Sequence, residues 1–395
     1  MLSEKPKIVY IVGGLYSPSG MGQVLSLKTN YLAEHSDYSI HIVLTEREQQ
    51  PLFYKMSDNI NIVNFDINFD ELDTMPLFRK LYHYYIKQRT YKKKLYKYLM
   101  ELKPAITVSA IRREINFINS IPDGSIKIGE LHFNKSDYRV FKKKFLPRFI
   151  NSYITNVWKN KLIHELKKLS HFVVLTHEDE ANWTEIERIS VIPNPLSFYP
   201  ETTSDCSNKK VISAGRYTWQ KGFERLIDAW EIVNKKHPDW KLYIYGYGDR
   251  QHYQNLANQK GLEKSLRCEP PTSNIRNEYL NSSIFVLSSR YEGFGMVIIE
   301  AMSCGIPPVS FDCPCGPKDI IEDKVTGLLV PNGNIEELAN KIIWLIENES
   351  ARKEMGKKSY TSARKYKIEN VMKQWMDLFA SVLNNPSITK QNKNA

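Results

Sequence analysis

An α/β protein in two halves, each a parallel sheet wrapped by helices, is the fold this sequence predicts, and three observations predict it. Short apolar runs alternate with helix-length stretches, glycine turns follow several of those runs, and a proline-rich polar break falls near the middle. In the first half the strand candidates are Ile8–Val12, Ile40–Leu44, Ile60–Phe65, Ile106–Ser109, Ile126–Leu131 and Phe172–Leu175. Met21–Glu34, residues 77–102 and Lys159–Leu169 read as helices between them. Strands separated by helices pair in parallel, because a crossover helix brings the chain back to the same edge. Near Val191–Asp205 the alternation stops, and Pro193, Pro195 and Pro200 impose an extended, stiff connection. A second series follows, with strands expected at Val211–Ala214, Leu242–Tyr245, Ile284–Leu287, Pro308–Phe311 and Leu328–Val330. Phe223, Leu226, Ile227 and Trp230 form the apolar stripe of a helix at Phe223–Lys236. Val371, Trp375, Leu378, Phe379 and Val382 do the same for a late helix at about Ile368–Leu383. The domain reading is therefore 1–195, 196–367, a terminal helix at 368–384, and a polar tail, 385–395, expected to be disordered.

A chain of 395 residues exceeds what one hydrophobic core usually supports, which also argues for two domains. No apolar run approaches the ~18 residues of a membrane-spanning helix. The first apolar segment runs straight into Gly13 and Gly14, which fits a strand better than a signal sequence, so a soluble, cytoplasmic protein is expected. The five cysteines show no paired framework. Cys313 and Cys315 have the wrong spacing for a zinc knuckle and no nearby histidine, so reduced thiols are expected.

The net charge of +11 is unevenly placed. Residues 79–103 hold nine Lys or Arg against Glu101 alone, and residues 135–148 hold six against Asp137. Leu77, Leu81, Tyr84, Tyr91, Leu95, Tyr98 and Leu102 recur at helical steps through the first cluster. Such a helix reads in two ways: docked on an anionic membrane surface, or packed on the core with a solvated cationic face. No nucleic acid-binding module is present, and no nucleic acid partner is expected.

The most informative stretch is Ser289–Met302, where a strand candidate runs through Gly293 and Gly295 into a helix-length segment that stops at Gly305 and Pro307. Glu292 falls in the turn and Glu300 on the helix. Backbone amides at a glycine-rich helix start suit a diphosphate, and carboxylates beside them suit the hydroxyls of a sugar or ribose.

This stretch resembles the Glu-x7-Glu signature of retaining, nucleotide-sugar-dependent glycosyltransferases of family 4, which have a GT-B fold of two facing Rossmann-like domains with a cleft between them. Gly215-Arg216-Tyr217 followed by Lys221-Gly222 resembles that family's phosphate-binding element, and Tyr245–Asp249 its second glycine turn. Cys315–Ile321 and Thr326–Val330 are similar to its Gly-Pro-x-x-Ile-Ile and Gly-Leu-Leu-Val blocks. The resemblance implies that the terminal helix crosses back onto the first domain. It also implies that Gly13–Gly22, Ser109–Arg113 and Leu131–Lys135 face Gly215–Lys221, Tyr247–Asp249, Pro271–Asn274 and Glu292–Glu300.

The chemistry that follows is transfer of a hexose or N-acetylhexosamine from a nucleoside diphosphate sugar, UDP-linked in many relatives of this type. No Asp-x-Asp motif is present to hold a divalent metal, so Arg216 and Lys221 are the candidates to neutralise the departing diphosphate, and no metal cofactor is expected. By the resemblance, Glu292 takes hydroxyls of the donor sugar and Glu300 those of the ribose. Gly293, Phe294, Gly295, Met296 and Val297 offer backbone amides, with Phe294 as a wall. Gly14, Gly215, Gly248 and Asn274 complete the donor contacts. His132, in Glu130–Asn134, resembles the family's histidine near the reacting sugar, although a lone histidine can equally be structural. Arg112 and Arg113 either orient an anionic acceptor or are solvated. The expected partner is a glycan or lipid-linked acceptor in capsule, lipopolysaccharide or exopolysaccharide synthesis, with the protein peripheral on the inner face of the membrane. An epimerase of the same architecture and a non-catalytic sugar-nucleotide-binding protein are the competing readings.

Overall fold

A computed structural model describes residues 5–47, 49–135 and 147–384; the basic cluster at 136–146 and the tail at 385–395 lie outside them. Contacts divide the described chain into two compact units. The first holds the residues up to Leu175, Asp179–Pro195 and those from Ile368 onward; the second holds Thr176–Glu178 and Leu196–Lys367.

The first unit contains strands β1 (Lys7–Ile11), β2 (Ser39–Leu44), β3 (Ile60–Asn64), β4 (Ile106–Ser109), β5 (Ile126–Glu130), β6 (His171–Val174) and β7 (Ile189–Val191). They form one parallel sheet in the order β3-β2-β1-β4-β5-β6-β7. Helices α1 (Gly20–His35), α2 (Leu77–Leu102) and α3 (Arg148–Lys167) connect the strands, and α4 (His177–Asn182) follows β6. Successive side chains of a strand point to opposite faces. Val9 and Ile11 of β1 accordingly join a core under α2 and α3, while Ile8 and Tyr10 join a core under α1.

The second unit repeats the plan with β8 (Lys210–Ala214), β9 (Lys241–Tyr245), β10 (Leu266–Glu269), β11 (Ile284–Leu287), β12 (Pro308–Asp312) and β13 (Leu328–Pro331). Its parallel order is β10-β9-β8-β11-β12-β13. Helices α5 (Phe223–Lys236), α6 (Arg250–Gln259), α7 (Ile275–Leu280), α8 (Met296–Ser303), α9 (Pro317–Ile320), α10 (Ile335–Glu347) and α11 (Glu349–Ala363) surround it. The stripe Phe223, Leu226, Ile227 and Trp230 is fully buried in its core. In both sheets the winding reverses beside the first strand, at β1/β4 and at β8/β11, the place where open α/β sheets bind ligands. The last helix, α12 (Ile368–Asn384), buries Val371, Met372, Trp375, Phe379 and Val382 in the first unit's core.

The structure amends the sequence reading in four places. Strands β7 and β10 were not expected; both are short edge strands. Helix α3 begins at Arg148, not Lys159. The stripe of α2 does not pack throughout: Tyr91, Leu95 and Leu99 are buried, but Leu77 and Leu81 are exposed. The reason is length. Twenty-six residues of helix span about 39 Å, whereas a strand of four to six residues spans about 13–20 Å, so the first half of α2 outruns the sheet. All five cysteines are buried and free. Among the described residues no helix is long and apolar enough to cross a membrane.

Because Phe379 is fully buried between α12 and the first sheet, Phe379→Ala is expected to cost about 3–5 kcal/mol. Urea unfolding followed by tryptophan fluorescence checks this as a lowered midpoint.

Candidate active site

At the carboxyl edge of the second sheet, the loops after β8, β9, β10 and β11 carry Gly215–Lys221, Tyr247–Gly248, Asn274 and Glu292–Gly295. Absent side chains let these loops approach closely. A Cβ on Gly246 would sit 1.7 Å from the carbonyl oxygen of Gly215, and one on Gly215 would meet the Lys221 stem at 3.2 Å. Gly248 has φ +118°, a conformation open to glycine, and pairs with Tyr217 in an isolated bridge.

Lys221 Nζ donates to Glu292 Oε1 at 2.7 Å, and Ser289 Oγ donates to the same oxygen at 2.6 Å. This ion pair joins the loops of β8 and β11 at the reversal of strand order, with both side chains largely buried. Arg216 lies on the same loop as Lys221 and is exposed. Arg290 forms an ion pair with Glu224 and lies over the Trp219 ring at 4.4 Å, which braces the turn from outside.

Gly295, at φ +97°, caps α8 and leaves the first amides of the helix, at Met296 and Val297, without intrahelical acceptors. The Phe294 ring is buried against Tyr366, with centroids 5.7 Å apart, and Gly316 lies so close to the Phe294 carbonyl that a Cβ there would come within 2.0 Å of it. Asn274 is exposed at the start of α7. Glu300 lies on α8, buried, and its carboxylate accepts from Ser197 Oγ at 2.9 Å, its one side-chain donor among the described residues. Burial pushes its carboxyl up to about 7, partly offset by the serine. Residues Thr176–Glu178 are tied to this unit through Asp319, whose Oδ1 accepts the His177 amide at 2.7 Å, and through Glu178, which accepts the Cys315 amide at 2.9 Å.

In the first unit a cavity of about 220 Å³ opens over the β1–α1 turn, lined among others by Gly14, Tyr16, Glu46, Asp70, Arg112 and Arg113. Tyr16 donates to Asp70 at 2.5 Å, and burial with this bond pushes its phenol up to about 12. Burial also raises the Glu46 carboxyl, which accepts the Asp70 amide at 3.2 Å. Arg112 and Arg113 lie over the rings of Phe133 and Phe69, at 5.3 and 4.3 Å. His132 follows β5, with Nε2 3.4 Å from Glu130 Oε1. Glu130 accepts from Lys28 Nζ at 2.6 Å, and Lys28 sits 3.6 Å from the centre of the Trp375 ring.

Sequence reasoning located Arg216, Lys221 and Glu292 on neighbouring loops and Glu300 on the helix that follows, but missed Ser289, Ser197, Glu178, Lys28 and Glu130. Ser289 stood three residues before Glu292, a spacing that puts a hydroxyl within reach of the turn. The others pair across the fold and left no local signal.

Two doubly wound parallel sheets, each reversing beside its first strand, are the GT-B class of fold. Solved structures bear this out: sucrose-phosphate synthase from Thermosynechococcus elongatus superposes with a TM-score of 0.78 at 17% identity, covering 95% of this chain and 99% of that one. S. aureus TarM, crystallised with fondaparinux, alpha-GlcNAc-glycerol and UDP, gives 0.71 at 20% identity, covering 95% and 99%. Residues 200–362 match the sequence model of glycosyl transferases group 1. An uncharacterized glycosyltransferase of Haemophilus influenzae is 34% identical over 234 residues, 56% of this chain and 66% of its own length. The amylovoran biosynthesis glycosyltransferase of Erwinia amylovora is 31% identical over 217 residues, 52% and 61%. The chain thus spans somewhat less than two thirds of these relatives.

Glu300 yields a prediction. Its carboxyl titrates near 7 when folded, against 4.5 ordinarily. Between those values the folded chain keeps a proton that the unfolded chain has lost, so stability falls as pH rises through this window. Glu300→Gln removes the penalty and is expected to gain about 3 kcal/mol over wild type at pH 8 and nothing near pH 4.5. Urea midpoints at the two pH values check it.

Proposed function

We propose that the chain is a retaining, metal-independent glycosyltransferase of polysaccharide biosynthesis. It moves a hexose or N-acetylhexosamine from a nucleoside diphosphate sugar, UDP-linked, to a glycan or lipid-linked acceptor. The observation that carries the reading is the Lys221–Glu292 pair at the strand reversal, beside Arg216 and the first amides of α8. Cleavage of the anomeric C–O bond leaves negative charge on the diphosphate and positive charge on the sugar. Arg216, Lys221 and the Met296 and Val297 amides answer the first; Glu292 takes sugar hydroxyls beside them. When the diphosphate arrives, Lys221 is shared between it and Glu292, which aligns sugar and phosphate through one contact. Glu300, with Ser197 as its partner, takes the ribose hydroxyls, and Gly215, Gly248 and Asn274 border the nucleotide. His132 contacts the donor sugar, and the cavity bearing Arg112 and Arg113 receives the acceptor. UDP in the TarM complex and the amylovoran role of the Erwinia relative support the donor and pathway assignments.

Radiolabelled UDP-hexoses incubated with the protein and bacterial membrane lipid should transfer label in the presence of EDTA. Arg216→Ala should lower the initial rate at least about tenfold, the worth of one charge-assisted hydrogen bond. Turnover that EDTA abolishes and manganese restores would overturn the metal-independent reading.

The protein also docks on an anionic membrane face through the projecting half of α2. Phe78, Leu81, Tyr82, Tyr85 and Ile86 are exposed there. Lys80, Lys87 and Lys97 pair with acids, whereas Arg79, Arg89, Lys92 and Lys93 have no acidic partner among the described residues. Apolar insertion with cationic flanks fits anionic lipid. Wild type should sediment with phosphatidylglycerol vesicles and not with phosphatidylcholine, and Phe78→Ser with Lys92→Glu and Lys93→Glu should remain in the supernatant.

A further inference from the structure

We infer that Glu130, held by Lys28 and walled by Trp375, is a positioning residue that fixes His132 as the Nε2–H tautomer, with Nδ1 presented as a hydrogen-bond acceptor. The inference rests on the reading in which His132 meets a hydroxyl of the donor sugar, and it specifies the direction of that hydrogen bond.

Burying two opposite charges is an expensive arrangement. Lys28 on α1 and Glu130 at the end of β5 are both buried, 2.6 Å apart. A buried ion pair is commonly no more stabilising than apolar residues of the same volume, so stability alone does not account for it. The carboxylate serves a third group, since the same Glu130 Oε1 lies 3.4 Å from His132 Nε2. An ionised carboxylate only accepts, so the imidazole proton belongs on Nε2 and the Nδ1 lone pair is left to accept. Nδ1 is itself buried and has no hydrogen-bond partner among the described residues, which suits a site completed by a substrate hydroxyl.

The surroundings keep the ring neutral. Burial, Lys28 and Arg112 lower the affinity of His132 for a second proton and Glu130 alone raises it, with the balance downward. Lys28 in turn holds the Glu130 carboxyl below its ordinary range against the opposing effect of burial. Tyr10 lies at 5.7 Å from Lys28 and its phenol stays protonated. Trp375, 3.6 Å from Lys28 Nζ, closes the pair from α12, so the last helix of the chain supports the histidine at second hand.

The test uses the full-length protein. Long-range ¹H–¹⁵N correlation, with His132 assigned by its loss in His132→Phe, should find the proton on Nε2 from pH 6 to 8. A proton on Nδ1, or an imidazolium, overturns the inference. Glu130→Gln strands a buried Lys28 and can fail to fold, so the second variant is Lys28→Met with Glu130→Leu, which removes both charges and the acceptor facing Nε2. It should melt near wild type and bind UDP with unchanged affinity, yet lose kcat about tenfold, the scale of one hydrogen bond, with little change in donor KM. Recovery of both stability and kcat in this double variant means the pair is structural only and also overturns the inference. If wild type transfers no sugar, the functional reading fails, and the tautomer measurement still decides the positioning.

Discussion

The Lys221–Glu292 contact organises the carboxyl edge of the second sheet. It joins two loops that are 71 residues apart in sequence and adjacent only because the sheet order reverses between β8 and β11. The loops can meet because side chains are missing where they cross. Gly215 leaves a lane for the lysine stem, and Gly222 lies so near the Ser288 carbonyl that a Cβ would come within 2.4 Å of it. Ser289 holds the shared oxygen from the other side. The result is a turn whose charges are set before any ligand arrives, the condition under which electrostatic stabilisation needs no reorganisation at the moment of reaction.

Two further carboxylates show alternative ways of burying an acid. Glu130 keeps its charge because Lys28 lies against it. Glu300 has a serine hydroxyl and no cation as partner among the described residues, and burial moves its titration to the neutral range. An acid poised in this way can change its protonation when a neighbour's hydrogen bonds change, whereas Glu130, pinned by a cation, cannot do so readily. The first behaviour suits a group whose partner comes and goes; the second suits one that must hold another residue still.

Much of this was legible in the sequence, for reasons that can be named. Central strands such as Ile284–Leu287 are buried on both faces and read as continuous apolar runs. Glycines with positive φ marked the turns; the apolar stripe of α5 is buried as read, and that of α12 is buried except for Leu378, which is only partly covered, while Met372, outside that stripe, is fully buried. The edge strands were not legible. Leu266–Glu269 alternates buried and exposed positions over four residues, and Ile189–Val191, only three residues long, runs into a proline-rich segment. Of the site, Glu292 and Glu300 were locatable because strand, turn and helix follow one another locally. The partners of Glu300 and Glu130 were not. Ser197 reaches Glu300 across 103 residues, and Lys28 reaches Glu130 across 102. Such distances close only through strand order, which periodicity does not encode.

Helix length carries a separate message. In α2 and α3 only the C-terminal portions enter the core, through Tyr91, Leu95 and Leu99 in one and Leu162 and Leu166 in the other. The N-terminal portions expose Phe78, Tyr82, Phe149 and Tyr153. Both helices follow strands of a parallel sheet, so both overshoot at its carboxyl edge, the edge that binds ligands. Extra turns bearing large apolar side chains add nothing to the packed core and raise the risk of association. Their presence on two separate connections at one edge supports the proposed docking on an anionic lipid face, which the α2 cations without acidic partners among the described residues would meet.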